Sequence, residues 1–472
     1  MNQIGLFING EWITTNQKEM VLNKATGEPI AEICVAGPAE IDQAITAASE
    51  AYKREKIAPY RRYEILHRAS QLMMERQEDL ALTIALEVGK TLKEAMGEIA
   101  RAAQTILISA EESKRIQGEV IAINGSPGNE NRSAWTMRVP LGVVCAITPF
   151  NVPANLTCHK IGPALAAGNA VVYKPASTTP LIGAKLCEIF ADAGLPAGYL
   201  NMVMGPGSVV GEALAKDERI AFYSFTGSAA VGMRLKNSVG FRRVSLELGS
   251  NSPTIVHRDA DVAKAAEACT RAAFANAGQL CISVQRVYVH KDVYEEFCEK
   301  AISLTKTLKL DNPLLPTTDV GPMISEKEAI RAEEWIKEAV AEGAEVLVGG
   351  HRNGPFLAPT ILTKVQPQMK CSCNEVFAPV FSIVSYENID EAFRLANDSD
   401  YGLQAGIFTN SLDLAMRAAA ELEAGGVIIN DVSTFRADMM PYGGWKQSGI
   451  GKEGPRYVIE EMTEEKIIVF NN

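Results

Sequence analysis

The chain has 472 residues, 47% hydrophobic and 22% charged, with a formal net charge of −11. A length beyond the usual single-domain size predicts two or more domains with their own cores, and the composition is that of a soluble globular protein. The acidic balance argues against nucleic acid or an anionic membrane as a partner; a small anionic substrate feels the local site more than the total.

The opening MNQIGLFINGEW has no basic stretch followed by an apolar core, so no secretory leader is expected. No apolar run approaches membrane-spanning length. Nine cysteines without framework spacing predict reduced thiols in the cytoplasm. Cys371 and Cys373 form a CxC pair, but His67, His159, His257, His290 and His351 make no ligand-spaced cluster with them, so no metal is expected.

In chain order, residues 7–13 and 30–35 read as short strands around the turn Ala25-Thr26-Gly27. From Ile41 to Ala110 apolar residues recur at helical spacing, predicting a layer of several helices. Residues 118–139 read as a hairpin arm with a turn at Asn124–Gly128, which needs a partner surface. Leu141–Ile147 is a continuous apolar run, as in a strand buried on both faces. Strands at 170–173, 200–204, 221–225 and 244–248 follow, separated by helical patterns at 156–167, 180–193, 208–215 and 230–238. That alternation predicts an α/β, doubly wound parallel sheet, whose ligands bind beyond the carboxyl ends of the strands. A second α/β series begins near Pro253, with strands at 254–256, 286–290, 346–348, 380–386 and 426–430 and helices that include 293–308 and 326–342. The chain ends in an extended segment, 465–470.

The stretch FANAGQLCISVQR, Phe274–Arg286, organises the rest. Cys281 lies between a predicted helix (263–275) and a predicted strand (284–290), where a rigid framework presents a side chain to a ligand. A thiolate there attacks an aldehyde carbon, giving a thiohemiacetal that loses hydride to a cofactor; a small buried hydrophobe is the alternative. Four further features fall at strand ends. Asn151, after Thr148, Pro149 and Phe150, offers carboxamide N–H groups to an oxyanion, or is a turn asparagine. Lys174 suits ribose or phosphate recognition, or is a solvated lysine. Gly227 and Ser228 open a helix, as at a pyrophosphate site, although GxGxxG is absent. Glu247 is an acid in an apolar strand end, suited to activating water, or a salt-bridged structural acid.

Together TPFN (148–151), YKPAS (173–177), FTGS (225–228), LELG (246–249), GQLC (278–281), NEVFAP (374–379) and PYGGWKQSGIG (441–451) resemble the aldehyde dehydrogenase superfamily over Phe7–Phe470. The resemblance implies a cofactor-binding domain (1–117 and 140–249), a catalytic domain (250–440) and a β oligomerisation arm (118–139 and 455–472) in a homodimer or homotetramer. It implies Cys281 as nucleophile, Asn151 with the Cys281 N–H as oxyanion donors, and Glu247 as base. Lys174 and Ser228 match adenosine-ribose and pyrophosphate contacts, with Thr148, Pro149, Phe150 and Gly227 on the same cofactor side. Glu375 and Phe377 match the nicotinamide-ribose side. Ala229, Ser250 and Ala378 depart from the family's Thr, Gly and Gly. Ser177 stands where NAD-preferring members often carry Glu, so NAD or NADP is expected as cofactor, NADP being tolerated; a serine capping the next helix is the alternative.

Arg101 and Arg436 resemble positions where members acting on acidic aldehydes put substrate-binding arginines, a surface salt bridge being the alternative, and the run YGLQAGIFTN (401–410) resembles that of the members acting on glyceraldehyde 3-phosphate. Leu280 and Val152 replace the Arg and Tyr of phosphate-binding relatives. The expected substrate is a small aldehyde bearing an acidic or hydroxyl group, of lactaldehyde, glyceraldehyde 3-phosphate, succinate semialdehyde or phosphono- or sulfo-aldehyde type. A CoA-acylating relative is the alternative, against which Glu247 weighs; a catalytically silent binding protein is another, against which Cys281 and Asn151 weigh.

Overall fold

A computed structural model of the chain describes residues 2–54 and 56–471. Met1 and Asn472, at the ends of the expected domains, and Glu55, in the expected helical layer, lie outside the described residues.

The apolar runs between turn signals build an eight-stranded sheet. Its five central strands, Arg243–Glu247, Ile220–Thr226, Val143–Ile147, Ala170–Lys174 and Leu200–Met202, lie side by side and parallel. Their side chains are buried almost throughout, which is what a sheet covered by helices on both faces requires. Helix Pro153–Ala167 is buried along its whole length: Pro153 fits the first helical turn, and Gly168 at φ 92° ends the helix in a left-handed conformation. Outside it pack Pro59–Glu75 and Leu92–Ser113, the latter opened by a capping box in which Thr91 and Glu94 satisfy each other's backbone donors. The helix expected at 208–215 forms in two pieces, a wide turn Gly207–Gly211 and a short helix Glu212–Lys216.

Both sheet edges are antiparallel. Leu6–Ile8 with Glu11–Ile13 closes one. The other is closed by Gly449–Ile450, whose Gly449 pairs with Glu247, so the glycine-rich run after Pro441 returns to the first sheet.

The second sheet has seven strands in the order Glu345–Val348, Thr360–Thr363, Val380–Tyr386, Arg286–His290, Pro253–Val256, Gln404–Phe408, Gly426–Ile429, all parallel except the first. Two of these were not read from the sequence. Thr360–Thr363 is only four residues long and begins directly after Pro359, while Gln404–Phe408 carries Gln and Gly, residues with weak strand preference.

The arm is a three-stranded sheet of Val120–Ile121, Arg132–Pro140 and Thr463–Asn471, with Trp135 stacked on Phe470 at 5.0 Å. Its last strand, Thr463–Asn471, contains the extended segment expected at 465–470. Residues Pro455–Glu461, at the start of the expected arm, form a helix, and Val458, Ile459 and Met462 are buried in the same hydrophobic core as the first sheet. Among the described residues no helix is long and apolar enough to cross a membrane.

Candidate active site

The loop carrying Cys281 leaves helix Val262–Phe274, whose N-terminus is capped by Asp261 accepting from Lys264 N at 3.1 Å. Asn276, Ala277 and Gly278 then take three successive left-handed conformations, φ 50°, 52° and 69°. For the two non-glycines that is costly, and such strain persists only where surroundings over-determine it. They do so here. Asn276 N donates to Glu94 Oε1 at 2.8 Å, Asn276 Nδ2 donates to Asn151 O at 3.1 Å, and Gln279 Oε1 accepts from Ile324 N at 2.9 Å. A Cβ on Gly278 would lie 2.0 Å from Ala378 O, so only glycine fits beside NEVFAP.

Cys281 ends this loop, half-buried, with Sγ 3.1 Å from Tyr442 Oη. Burial pushes its thiol up to about 12, against the lowering effects of the Tyr442 hydrogen bond and the Arg436 charge. The free site therefore holds a thiol, and the thiolate has to be generated for attack.

Asn151 follows the strand Val143–Ile147 and precedes helix Pro153–Ala167. Its Nδ2 donates to Gln279 O at 2.9 Å, which ties the carboxamide to the cysteine loop; its Oδ1 is buried without a partner among the described residues. The amide has a second N–H beyond that bond. Glu247 ends the strand Arg243–Glu247, 2% exposed, and among the described residues neither carboxyl oxygen has a hydrogen-bond partner. Burial, then the Glu453 charge, raises it well above the usual carboxylate range, while Arg436, Lys160 and Lys452 pull the other way. The salt-bridged structural acid left open by the sequence is not what the structure shows. Room for the carboxyl comes from Gly443, where a Cβ would sit 3.0 Å from Glu247 Oε1.

On the other side lies a cavity of about 570 Å³ lined by Ile147, Lys174, Gly207, Phe225, Arg234 and Leu235 among others. Lys174 is 4% exposed, donates to Pro175 O at 3.2 Å, and is lowered to about 8 by burial, so it is no solvated strand-end lysine. Ser177 Oγ donates to Gly205 O at 2.8 Å; the following helix, Leu181–Asp192, has its first N–H groups held by Glu87 instead, so Ser177 is not its cap. Ser228 stands at the N-cap of helix Ala229–Ser238, and a Cβ on Gly227 would lie 2.6 Å from the Phe225 ring. Thr148 N donates to Lys174 O at 3.2 Å, and Pro149 leads to Phe150, which meets Phe377 edge-on at 5.8 Å. Phe377 itself has φ 50°. Glu375 Oε1 accepts from Ser250 N at 3.0 Å, and burial raises Glu375 to about 7. A Cβ on Gly249 would meet its carboxylate at 2.5 Å. The cavity, with buried Lys174 and helix Ala229–Ser238 in its wall, has the volume and charge for the adenosine part of a dinucleotide.

Both arginines expected at the substrate, Arg101 and Arg436, have carboxylate partners within the chain. Arg101 is held bidentately by Asp438 at 2.8 and 3.1 Å, which leaves its side chain 44% exposed. Asp438 also accepts from Asn155 Nδ2 at 2.9 Å and lies 3.0 Å from His159 Nε2. Arg436 is buried: it pairs with Glu453 Oε2 at 2.9 Å and lies 3.8 Å from the centre of the Tyr442 ring. A carboxylate this deep has to be compensated, and Lys160 completes the set at 2.8 Å from Glu453 Oε1. Tyr442, Glu453, Lys160 and Glu94 were not singled out from the sequence. Lysine and glutamate 293 positions apart carry no local signal of pairing.

Residues 12–468 match the model of the aldehyde dehydrogenase family. The chain belongs to that family. It is an NAD(P)-dependent aldehyde dehydrogenase with that family's fold. It is 54% identical over 471 residues to a 3-sulfolactaldehyde dehydrogenase of Priestia aryabhattai, covering 100% of this chain and 98% of the relative. A lactaldehyde dehydrogenase of Methanococcus maripaludis is 40% identical over 473 residues, covering 99% and 100%. Among solved structures, a glyceraldehyde-3-phosphate dehydrogenase of Methanocaldococcus jannaschii complexed with NADP superposes with a TM-score of 0.93 at 38% identity, covering 97% of this chain and 100% of that one.

Proposed function

We propose that this aldehyde dehydrogenase oxidises a short aldehyde bearing an acidic or hydroxyl group, of the 3-sulfolactaldehyde or lactaldehyde type, to the carboxylic acid, with Cys281, Asn151 and Glu247 as its catalytic residues. The observation that carries the assignment is the hydrogen bond from Asn151 Nδ2 to Gln279 O, which ties an amide with a spare N–H to the loop that ends in the Cys281 thiol. The Cys281 thiol gives its proton to water, the sulfur adds to the carbonyl carbon, and the charge that develops on oxygen is met by Asn151 and the Cys281 backbone N–H. Lys174, Ser177, Gly227, Ser228, Thr148, Pro149 and Phe150 hold the adenosine and pyrophosphate end of the dinucleotide, with Glu375 and Phe377 at its nicotinamide ribose. When bound, the dinucleotide takes up the hydride given by the aldehyde carbon. Glu247 then takes a proton from the water that releases the acid from sulfur, and its lack of hydrogen bonds leaves both oxygens available for this.

For the substrate, the half-exposed guanidinium of Arg101 is the anion anchor, oriented by Asp438, while Arg436 contributes positive charge from behind the Tyr442 ring. The names of the sulfolactaldehyde and lactaldehyde relatives support the same substrate class. We further assign the first sheet to the cofactor and the second to catalysis. The arm serves homo-oligomerisation through its exposed Val120, Ile467 and Phe470, and the enzyme works in the cytoplasm. The test is a set of initial rates with 3-sulfolactaldehyde, lactaldehyde and propanal, each with NAD and NADP, with and without CoA. The anionic or hydroxylated aldehydes should exceed propanal in kcat/KM by about tenfold or more, CoA should change nothing, and Cys281→Ala should be inactive while binding cofactor. A preference for propanal would overturn the substrate class, and an active Cys281→Ala the mechanism.

A further inference from the structure

The turn Pro441-Tyr442-Gly443 does two things at once. Its glycine makes room for the Glu247 carboxyl, and its tyrosine reaches Cys281, Oη to Sγ 3.1 Å. Tyr442 is 2% exposed and packs with Ile282 and Leu403 around the thiol, with Cys281 and Met440 against them. It is fixed along its whole length. Its N donates to Glu453 O at 3.0 Å, and its carbonyl accepts from Glu453 N at 2.6 Å. Its ring carries the Arg436 guanidinium at 3.8 Å, and that guanidinium is locked by the Glu453 carboxylate, itself paired with Lys160. A phenol so constrained cannot drift from the sulfur without breaking the Arg436–Glu453–Lys160 set.

We propose that Tyr442 is a further catalytic residue, a phenol that holds the Cys281 sulfur in its attacking position and donates a hydrogen bond to it once the thiol has lost its proton. Only the ionised sulfur turns the contact into a charge-assisted bond, so the contact favours the thiolate over the thiol. The same O–H bond serves the later step in which the carbon–sulfur bond breaks and the electron pair returns to sulfur. Burial and the neighbouring Cys281 keep the phenol itself well above its ordinary range, so it remains a donor. The groups that set the field at the thiol are Tyr442 and Arg436, which favour ionisation, and Glu375 and Glu247, which oppose it.

The proposal rests on Cys281 as nucleophile. Its test is Tyr442→Phe, which removes one oxygen and keeps the ring against Arg436. The readout is the pH dependence of carbamidomethylation of Cys281 in the free enzyme, followed by mass spectrometry of its peptide so that the other thiols do not contribute. The profile should move up by about one pH unit, so that Cys281 alkylates about tenfold more slowly on the rising limb. kcat/KM for propanal should fall by a similar factor with NAD affinity unchanged. Superposed alkylation profiles would overturn the proposal. If the variant does not fold, 3-fluorotyrosine at position 442 decides instead: a more acidic phenol should move the profile down, and an unmoved profile refutes the role. An active Cys281→Ala would defeat the nucleophile assignment itself, whereas an inactive one with an unshifted Tyr442→Phe defeats this inference alone.

Discussion

Glu247→Gln separates the two halves of the reaction. The substitution is nearly isosteric and forfeits no bond, because neither oxygen of Glu247 has a hydrogen-bond partner and Gly443 leaves room at 3.0 Å. What changes is the ability to take a proton. General-base assistance contributes roughly 10²- to 10⁴-fold, so release of the acyl group should slow by about that factor while its formation on Cys281 continues. Stopped-flow absorbance should show a burst of about one reduced nucleotide per site followed by slow turnover. In the parent enzyme the carboxyl is raised well above its usual range by burial and Glu453. Only the carboxylate accepts a proton, so turnover limited by this step should climb as pH rises through that raised value, and the amide variant should lose that climb. Stability gives a second readout with its sign set by the same shift. A carboxyl whose folded pKa is raised keeps its proton in the folded state after the unfolded chain has lost it, so stability falls as pH rises from the ordinary carboxylate value toward the raised one. The amide carries no such loss, and its thermal unfolding should gain on the parent's across that window. A variant with no burst and an unchanged steady state would refute Glu247 as the base.

Ser177→Glu should raise KM for NADP about tenfold or more over that for NAD, because a carboxylate repels a 2′-phosphate and cannot donate to Gly205 O; parallel weakening of both cofactors, seen in the KM ratio, would return Ser177 to a structural part. Arg101→Ala should raise KM for 3-sulfolactaldehyde about tenfold and leave propanal unaffected, measured by initial rates; equal effects on both would make Arg101 purely a partner of Asp438. Gly278→Ala should unfold earlier in a thermal melt, because its methyl group would meet Ala378 O at 2.0 Å and its φ is 69°. The cost should reach ~1–3 kcal/mol or more, and a melting curve unchanged from the parent's would show that the loop yields instead.

What the sequence disclosed here was what contiguous residues encode. The run LGVVCAI announces a strand buried on both faces, and Asn151 and Glu247 stand at the carboxyl ends of such strands, where a doubly wound sheet collects its ligands. Strain in Asn276 and Ala277 was hidden, since neither residue type declares a left-handed backbone; it follows from Glu94, Asn151 and Ala378, all distant in sequence. The partners of Arg101 and Arg436 were hidden for the same reason. The resemblance places Arg101 and Arg436 near a substrate, but does not disclose that Asp438 and Glu453 reach them across 337 and 17 positions.

The turn at Pro441–Gly443 shows why the missed residues matter to the chemistry. A nucleophile or a base shielded from water is disfavoured as an anion; half-buried Cys281 and fully buried Glu247 both suffer this. Each also raises the other's burden, because two anions close together repel. One short turn addresses both problems by giving the sulfur a phenol donor and the carboxyl an unobstructed niche. Arg436 stands behind that turn with its positive charge near both groups. Its pairing with Glu453 prevents it from collapsing onto either of them as a salt-bridge partner, which would stabilise the resting anion at the expense of its reactivity. The Arg436–Glu453–Lys160 set is therefore better understood as support for a reactive pair than as an investment in stability, since buried ion pairs often add little to folding. On that reasoning Arg436→Met, which keeps the volume and removes the charge, should depress kcat for neutral and anionic aldehydes alike. A rise in KM confined to anionic substrates, with kcat intact, would instead return Arg436 to direct substrate binding.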